Sequence, residues 1–138
     1  MTTNPLSNEF VLDRGAWRHL HWGRVMAGGV CAELAVFAIV FPVLHFWGQT
    51  AFLASILVTS AALPFLFALW VDRRVESHFV LHGLMVGVVA ALMYVLVAWG
   101  QPEPFLYKVA HVLKLVGGLL GGIASARWTA GDRVRASV

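Results

Sequence analysis

The chain has 138 residues, of which 59% are hydrophobic and only 12% charged, and its formal net charge is +3 at pH 7. A soluble domain averages roughly 45–50% apolar and about 25% charged residues, so a soluble fold of this size could not bury the apolar surface. The composition excludes a soluble globular domain and a disordered chain. The single Cys31 excludes a disulfide framework, a dithiol redox pair and a Cys-rich zinc site.

Residues 1–24 precede the first long apolar stretch and are expected to form a cytoplasmic N-terminal segment. The stretch from residue 10 to residue 22 mixes apolar with charged side chains. This pattern predicts either a short helix lying in the membrane interface or a frayed terminus. It does not fit a secretory signal, because the first apolar run begins too late and is too long.

Four apolar stretches have the length of about 20 residues that a membrane-spanning helix needs. They are residues 25–47, 50–71, 79–99 and 105–126. Because the connections are short, consecutive helices must run antiparallel. The predicted fold is all-α, an antiparallel four-helix transmembrane bundle over residues 25–126.

Arginine predicts the orientation of these spans. Positive charge near span ends stays on the cytoplasmic side, and an even number of spans places every arginine on one face. The arginines are Arg14, Arg18, Arg24, Arg73, Arg74, Arg127, Arg133 and Arg135. We therefore predict a multi-pass protein of the inner (cytoplasmic) membrane with both termini in the cytoplasm, including a tail over residues 127–138 that is disordered from Thr129 onward. All six tryptophans fall at predicted span boundaries, which agrees with their preference for the headgroup layer.

Two charges lie deep inside predicted spans. Glu33 is about 13–14 Å inside the membrane from Arg24, and Lys114 is about 15 Å from the opposite side, at 1.5 Å per residue. Since an unpaired charge at this depth costs several kcal/mol, Glu33 and Lys114 are expected to meet, within one chain or across two copies. The pair either fixes helix register or forms a proton or substrate site, to which His111 and Tyr107 would belong. The remaining alternative is that the two charges lie at other depths and that each side chain reaches the membrane surface by itself.

The last span carries a polar and glycine-rich face. Tyr107, His111 and Lys114 recur at helical spacing and are followed on the same face by glycines and Ser125. Small residues let helices approach closely, either inside one protomer or at a dimer seam. The predicted helix-packing residues are Gly83, Gly87, Gly117, Gly118, Gly121 and Gly122.

Six histidines raise the question of a metal or haem. Their depths do not match as a bis-histidine pair, so no metal and no cofactor is predicted, and a haem or pigment held through His111 or His82 is the alternative. No catalytic constellation is recognisable: there is no Ser/His/Asp arrangement at matched depth, no paired carboxylates and no phosphate-binding loop. We therefore predict that the protein is not an enzyme.

Two resemblances to known families follow from these patterns. The segments LHGLMVG at residues 81–87 and LVGGLLGG at residues 115–122 resemble small four-span bacterial membrane proteins of unknown function, which implies a fold but no activity. The segment CAEL at residues 31–34 is similar to the first span of small multidrug resistance transporters. That similarity implies a role for Glu33 as a proton and cation site, although Lys114 departs from the family pattern.

These observations favour a non-enzymatic integral membrane protein that is an accessory or scaffolding subunit, or that self-associates. Its expected partners are the lipid bilayer and a homo-oligomer or larger membrane complex, and no nucleic acid. One alternative is a small proton-coupled transporter that uses Glu33. The other is a haem- or pigment-holding membrane subunit.

Overall fold

The computed structural model describes residues 20–75, 77–100, 102 and 104–136, with side chains up to residue 132. The described chain is all-helical and forms α1 (Trp22–Asp72), α2 (Phe79–Val97) and α3 (Phe105–Ala136). All three helices are long and apolar enough to cross a membrane. Each helix contacts the other two.

The first helix folds back on itself at Gly48. This residue has φ 79° and ψ −173°, a backbone conformation essentially confined to glycine, and it lies between two helical segments. A Cβ atom placed on Gly28 would lie 2.6 Å from Val71 Cγ2, yet in a straight helix those residues would be roughly 65 Å apart. Val36 and Ile56, on opposite sides of Gly48, share one hydrophobic cluster. The two halves of α1 therefore lie against each other in antiparallel directions.

The predicted count of four separate helices is not confirmed. The first two predicted spans, residues 25–47 and 50–71, both lie in α1, while the third corresponds to α2 and the fourth to α3. No proline and no long loop lies at Gly48-Gln49, so helical residues continue directly on both sides of the reversal.

The predicted disorder of the tail from Thr129 is wrong, because α3 continues to Ala136. The segment has no proline, and the Thr129 hydroxyl donates a hydrogen bond to the Ser125 carbonyl oxygen at 3.0 Å, which is compatible with helix. The predicted interfacial helix over residues 10–22 falls almost entirely outside the described residues.

The two ends of the bundle differ in packing. At the end that carries Arg24, Arg73, Arg74 and Arg127, called the arginine end, a cluster around Val25, Val71 and Val86 is buried. At the opposite end, called the turn end because Gly48 and Gly100 lie there, no described residue is buried between positions 41 and 55 or between 91 and 109. The helices are thus tightly packed in one half of the bundle and spread in the other.

Candidate functional site

An ion pair joins α1 to α3 inside the bundle. Lys114 Nζ lies 2.8 Å from Glu33 Oε1 and 2.7 Å from Glu33 Oε2. The Lys114 side chain is 2% exposed and the Glu33 side chain 1% exposed, so both charges are withdrawn from the surface. The contact lies within one chain and needs no second copy. In so dry a setting the two charges depend on each other, because either one alone would be an uncompensated buried charge.

A tyrosine from α2 completes the surroundings of the pair. Lys114 Nζ lies 4.9 Å from the centroid of the Tyr94 ring, a cation–π geometry. The Tyr94 ring also packs against His111, at 4.8 Å between centroids, and stacks on Tyr107 at 5.7 Å. All three helices therefore contribute to one cluster, and the predicted residues Glu33, Lys114, His111 and Tyr107 all belong to it.

A cavity of about 170 Å³ borders this cluster. Its polar or titratable lining consists of Glu33, Ser60, Tyr94, Tyr107, His111 and Lys114. The rest of its wall is apolar and is formed by Val36, Phe37, Val40, Phe41, Phe52, Ile56 and Ala110. The cavity is thus an aromatic and aliphatic chamber with one acid and one base in its wall.

The cavity lies on the turn-end side of the ion pair. Its wall includes Phe41 and Phe52, which flank the reversal at Gly48, and Tyr107, which is in the first turn of α3. Phe41 is exposed, whereas Glu33 and Lys114 are buried. The chamber therefore has the ion pair at its inner end and approaches the surface toward the turn end.

The predicted packing glycines close the other half of the bundle. A Cβ atom on Gly83 would overlap the Gly118 carbonyl oxygen, and one on Gly117 would overlap that of Ala61. Clashes of the same kind, with the backbone of a neighbouring helical segment, would follow at Gly87, Gly118, Gly121 and Gly122. These glycines therefore let helices of one protomer pack closely, and each of the six contacts a neighbouring helical segment of the same chain.

Gly87 has a particular effect on the site. A Cβ atom there would lie 2.5 Å from the carbonyl oxygen of Lys114, so α2 touches the backbone of α3 at the very residue that carries the buried cation. This contact fixes the position from which the Lys114 side chain extends toward Glu33. The six packing glycines, called the glycine stripe, thus end at the level of the ion pair, and the cavity begins beyond that level.

The two histidines considered as haem ligands lie in different surroundings. His82 is fully buried at the arginine end, where its Nε2 accepts a hydrogen bond from the His21 main-chain N–H at 3.2 Å and its Nδ1 lies 2.9 Å from the His78 carbonyl oxygen. Since the main-chain N–H can only donate, Nε2 is unprotonated and Nδ1 carries the proton. Both ring nitrogens are engaged, which leaves His82 no lone pair for a metal.

His111 lies in the cavity wall beside Tyr94. A cavity of about 150 Å³ accommodates benzene, so a chamber of this size is far too small for a haem. Within the described part of the chain, no three His, Cys, Asp or Glu side chains lie close enough together to hold a metal ion. The residues present do not fit a haem.

The site contains residues that sequence reasoning missed. Tyr94 contacts the Lys114 ammonium, and Ser60 lines the cavity with a hydroxyl that has no hydrogen-bond partner among the described residues. Both are polar side chains in otherwise apolar spans, and a comparison of their depth with that of Glu33 would have selected them. No sequence signal indicates Phe37 or Phe52, which do not differ from the phenylalanines that face lipid.

Neither protein-family models, nor curated proteins, nor solved structures give a match to this chain. The resemblances to four-span proteins of unknown function and to small multidrug resistance transporters therefore stay predictions. The functional argument depends on the geometry of the site alone.

Proposed function

We propose that the chain is a non-enzymatic protein of the bacterial inner membrane that crosses the bilayer four times, with both termini in the cytoplasm. The two antiparallel halves of α1 supply the first two crossings, and α2 and α3 the others. The arginine end carries Arg24, Arg73, Arg74 and Arg127, as the distribution of positive charge requires of a cytoplasmic face. In this orientation the cavity faces the periplasmic side.

Within this topology, the function that the geometry supports best is proton-coupled transport of a small molecule. The observation that carries it is the position of the Glu33–Lys114 pair in the wall of a cavity. An ion pair that only fixes helix register needs no cavity beside it, because closely packed apolar side chains could surround the pair instead. A site that binds a ligand and exchanges a proton needs both the space and the titratable group.

The mechanism follows from the charges. A proton that enters the cavity and binds the Glu33 carboxylate removes its attraction for Lys114 and leaves the lysine as an uncompensated buried cation. Release of that proton restores the pair. The energy difference between these states, several kcal/mol in a dry interior, is large enough to bias the packing of α1 against α3. Transport further requires that the glycine-packed arginine end opens in a second state.

Cysteine accessibility tests this function without knowledge of the substrate. In a Cys31→Ala background, Phe52→Cys reports on the cavity and Val71→Cys reports on the closed half, where Val71 is buried. A transporter predicts that a membrane-impermeant thiol reagent modifies Phe52→Cys from the periplasmic side and Val71→Cys from the cytoplasmic side. Val58→Cys, which is exposed on the outer surface and would face lipid, is the control that should not react.

Coupling to protons adds a second requirement to the same experiment. The ratio of the two modification rates should change as the pH is lowered while Glu33 is present, and it should lose this dependence in Glu33→Gln. If Val71→Cys never reacts from the cytoplasmic side at any pH, the bundle has a single state and transport is refuted.

An accessory or self-associating subunit is the second candidate, and the turn end supports it. Large aromatic side chains cluster there and are highly exposed, among them Phe46, Trp47, Trp99 and Phe105. A partner protein or a second copy would cover this surface. Native mass spectrometry of the protein extracted from its membrane distinguishes the cases: a chain of 15.1 kDa alone argues against a subunit role, and a stable larger assembly supports it.

A further inference from the structure

The cavity beside the ion pair restricts the kind of molecule that it can hold. We infer that its ligand is a neutral molecule about the size of one aromatic ring that carries a hydroxyl or similar hydrogen-bonding group, with phenols as the model class. This inference rests on the proposed function, since it names the substrate class of the same site. Four properties of the cavity lead to it.

Size is the first property. The volume of about 170 Å³ is close to the 150 Å³ of an engineered apolar cavity that binds benzene. A ligand with one ring therefore fits the cavity.

The chemistry of the wall is the second property. Five aromatic rings line the cavity: Phe37, Phe41, Phe52, Tyr94 and Tyr107. Tyr94 and Tyr107 already stack on each other, and Phe37 packs against Tyr94 with 6.4 Å between centroids. Aromatic rings stabilise one another through offset and edge-to-face contacts beyond the burial of their area, so a planar ring is a better occupant than an aliphatic chain.

Charge is the third property. Glu33 and Lys114 neutralise each other at the inner end of the cavity. A cationic ligand that bound Glu33 would displace Lys114, and an anionic ligand that bound Lys114 would displace Glu33. Either event leaves a buried charge without its partner and would weaken binding by about 100-fold or more relative to a neutral ligand of the same shape. The ion pair thus acts as a filter against charged molecules in the resting state.

The fourth property is a buried hydroxyl that is available to a ligand. Ser60 is almost completely buried and lines the cavity, and its hydroxyl has no hydrogen-bond partner among the described residues. A buried hydroxyl without a partner gains about one hydrogen bond from a ligand that offers a matching group. A ligand with a hydroxyl should therefore bind about 5- to 10-fold more tightly than the same ring without it.

Fluorine NMR of the protein in lipid nanodiscs tests this inference with four monocyclic probes. They are 4-fluorophenol, fluorobenzene, 4-fluorobenzoate and 4-fluorobenzylammonium, each measured against empty nanodiscs. We expect 4-fluorophenol to bind most tightly, fluorobenzene about 5- to 10-fold more weakly, and both ions at least 100-fold more weakly. Ser60→Ala should weaken the binding of 4-fluorophenol and leave that of fluorobenzene unchanged.

Two further variants serve as controls. Thr59→Val removes a buried hydroxyl that donates a hydrogen bond to the Ser55 carbonyl oxygen and does not line the cavity, and it should change no affinity. Ala110→Phe fills the cavity and should abolish binding of every probe, while circular dichroism shows whether it is folded.

The outcomes separate this inference from the proposed function. Tighter binding of an ion than of 4-fluorophenol overturns the substrate class but leaves a ligand-binding cavity. Binding of no probe above the empty-nanodisc level, or binding that survives Ala110→Phe, overturns the inference altogether. In both cases the accessibility of Phe52→Cys and Val71→Cys still decides independently whether the protein transports.

Discussion

Replacement of either member of the Glu33–Lys114 pair with methionine should destabilise the fold far more than replacement of both. Methionine approximates the length of both side chains and carries no charge. Each single variant leaves one buried charge uncompensated, whereas the double variant leaves two apolar side chains in contact. The structure allows the loss of unfolding free energy to be worked out for each variant, because both side chains are at least 98% buried and lie within 2.8 Å of each other.

The cost of Lys114→Met has an upper limit that is set by protonation. The remaining carboxylate can avoid a buried charge by taking up a proton, and for a glutamate of ordinary pKa about 4.3 this costs about 3.7 kcal/mol at pH 7. In Glu33→Met the lysine can lose its proton instead, at about 4.6 kcal/mol from an ordinary pKa of about 10.4. The Tyr94 ring, whose centroid lies 4.9 Å from Nζ, stabilises the charged Lys114 by about 0.5–2 kcal/mol and so reduces the cost of burying that charge. Both single variants should thus lose about 3–4 kcal/mol.

The two losses should depend on pH in opposite directions. When Glu33 is protonated in the folded variant and ionised in the unfolded chain, folding takes up a proton, so stability rises as the pH falls. The loss in Lys114→Met should shrink by about 2.7 kcal/mol from pH 7 to pH 5, at 1.36 kcal/mol per unit. Glu33→Met releases a proton on folding, so its loss should shrink on going from pH 7 to pH 9. The double variant should lie within about 1 kcal/mol of the parent and should not add to the pH dependence.

Unfolding by SDS in mixed micelles, followed by circular dichroism, gives these free energies. Lys108→Met is the matched control, since Lys108 is exposed and its replacement should change stability by less than about 0.5 kcal/mol. If the double variant loses the sum of the two single losses, the residues are not coupled, and the reasoning from the buried pair is refuted.

Three further predictions concern backbone and helix contacts, each measured as a change in the same unfolding free energy. Gly118→Ala should cost about 1–3 kcal/mol, because its Cβ would meet the backbone of Gly83. In the control Gly131→Ala, the added Cβ meets nothing within 4 Å, so stability should be unchanged or higher. Equal effects of the two substitutions would contradict the close packing at Gly118. Gly48→Ala should cost about 1–3 kcal/mol because of its φ of 79°, and if it unfolds no more easily than the parent, α1 does not reverse there. His82→Phe should cost about 1–3 kcal/mol, because the His21 main-chain N–H loses its acceptor and the His78 carbonyl oxygen keeps only the main-chain N–H of residue 82 as a donor. A loss below about 0.5 kcal/mol would mean that the ring contacts do not form.

The positions of the spans could be predicted from the sequence because they follow from one property, the length of apolar runs relative to bilayer thickness. The four predicted stretches coincide closely with the two halves of α1, α2 and the first part of α3. The end of α3 differs from the prediction, which places the chain from Thr129 onward among poorly ordered termini. The end of an apolar run does not end a helix, which can continue into a polar segment.

The meeting of Glu33 and Lys114 could be anticipated because opposite charges at equal depth have few other ways to avoid the cost of burial. The cavity could not be anticipated. It exists because the glycine stripe holds the helices together only as far as Gly87 and Lys114, while larger side chains such as Phe52 and Tyr94 keep them apart beyond that level. The distance between helices depends on how the side chains of all of them fill the space between, and the residue pattern along one helix does not determine this.

The most direct test of the account is a nitrogen–carbon distance measured by solid-state NMR in lipid bilayers. The protein would carry ¹⁵Nζ-lysine and ¹³Cδ-glutamate, with Lys108→Arg to leave Lys114 as the sole labelled lysine. We predict a dipolar coupling that corresponds to direct contact, within about 4 Å, and that disappears in Glu33→Gln. A Lys114 signal with no coupling to any glutamate carbon would contradict the buried ion pair and the proposals that depend on it.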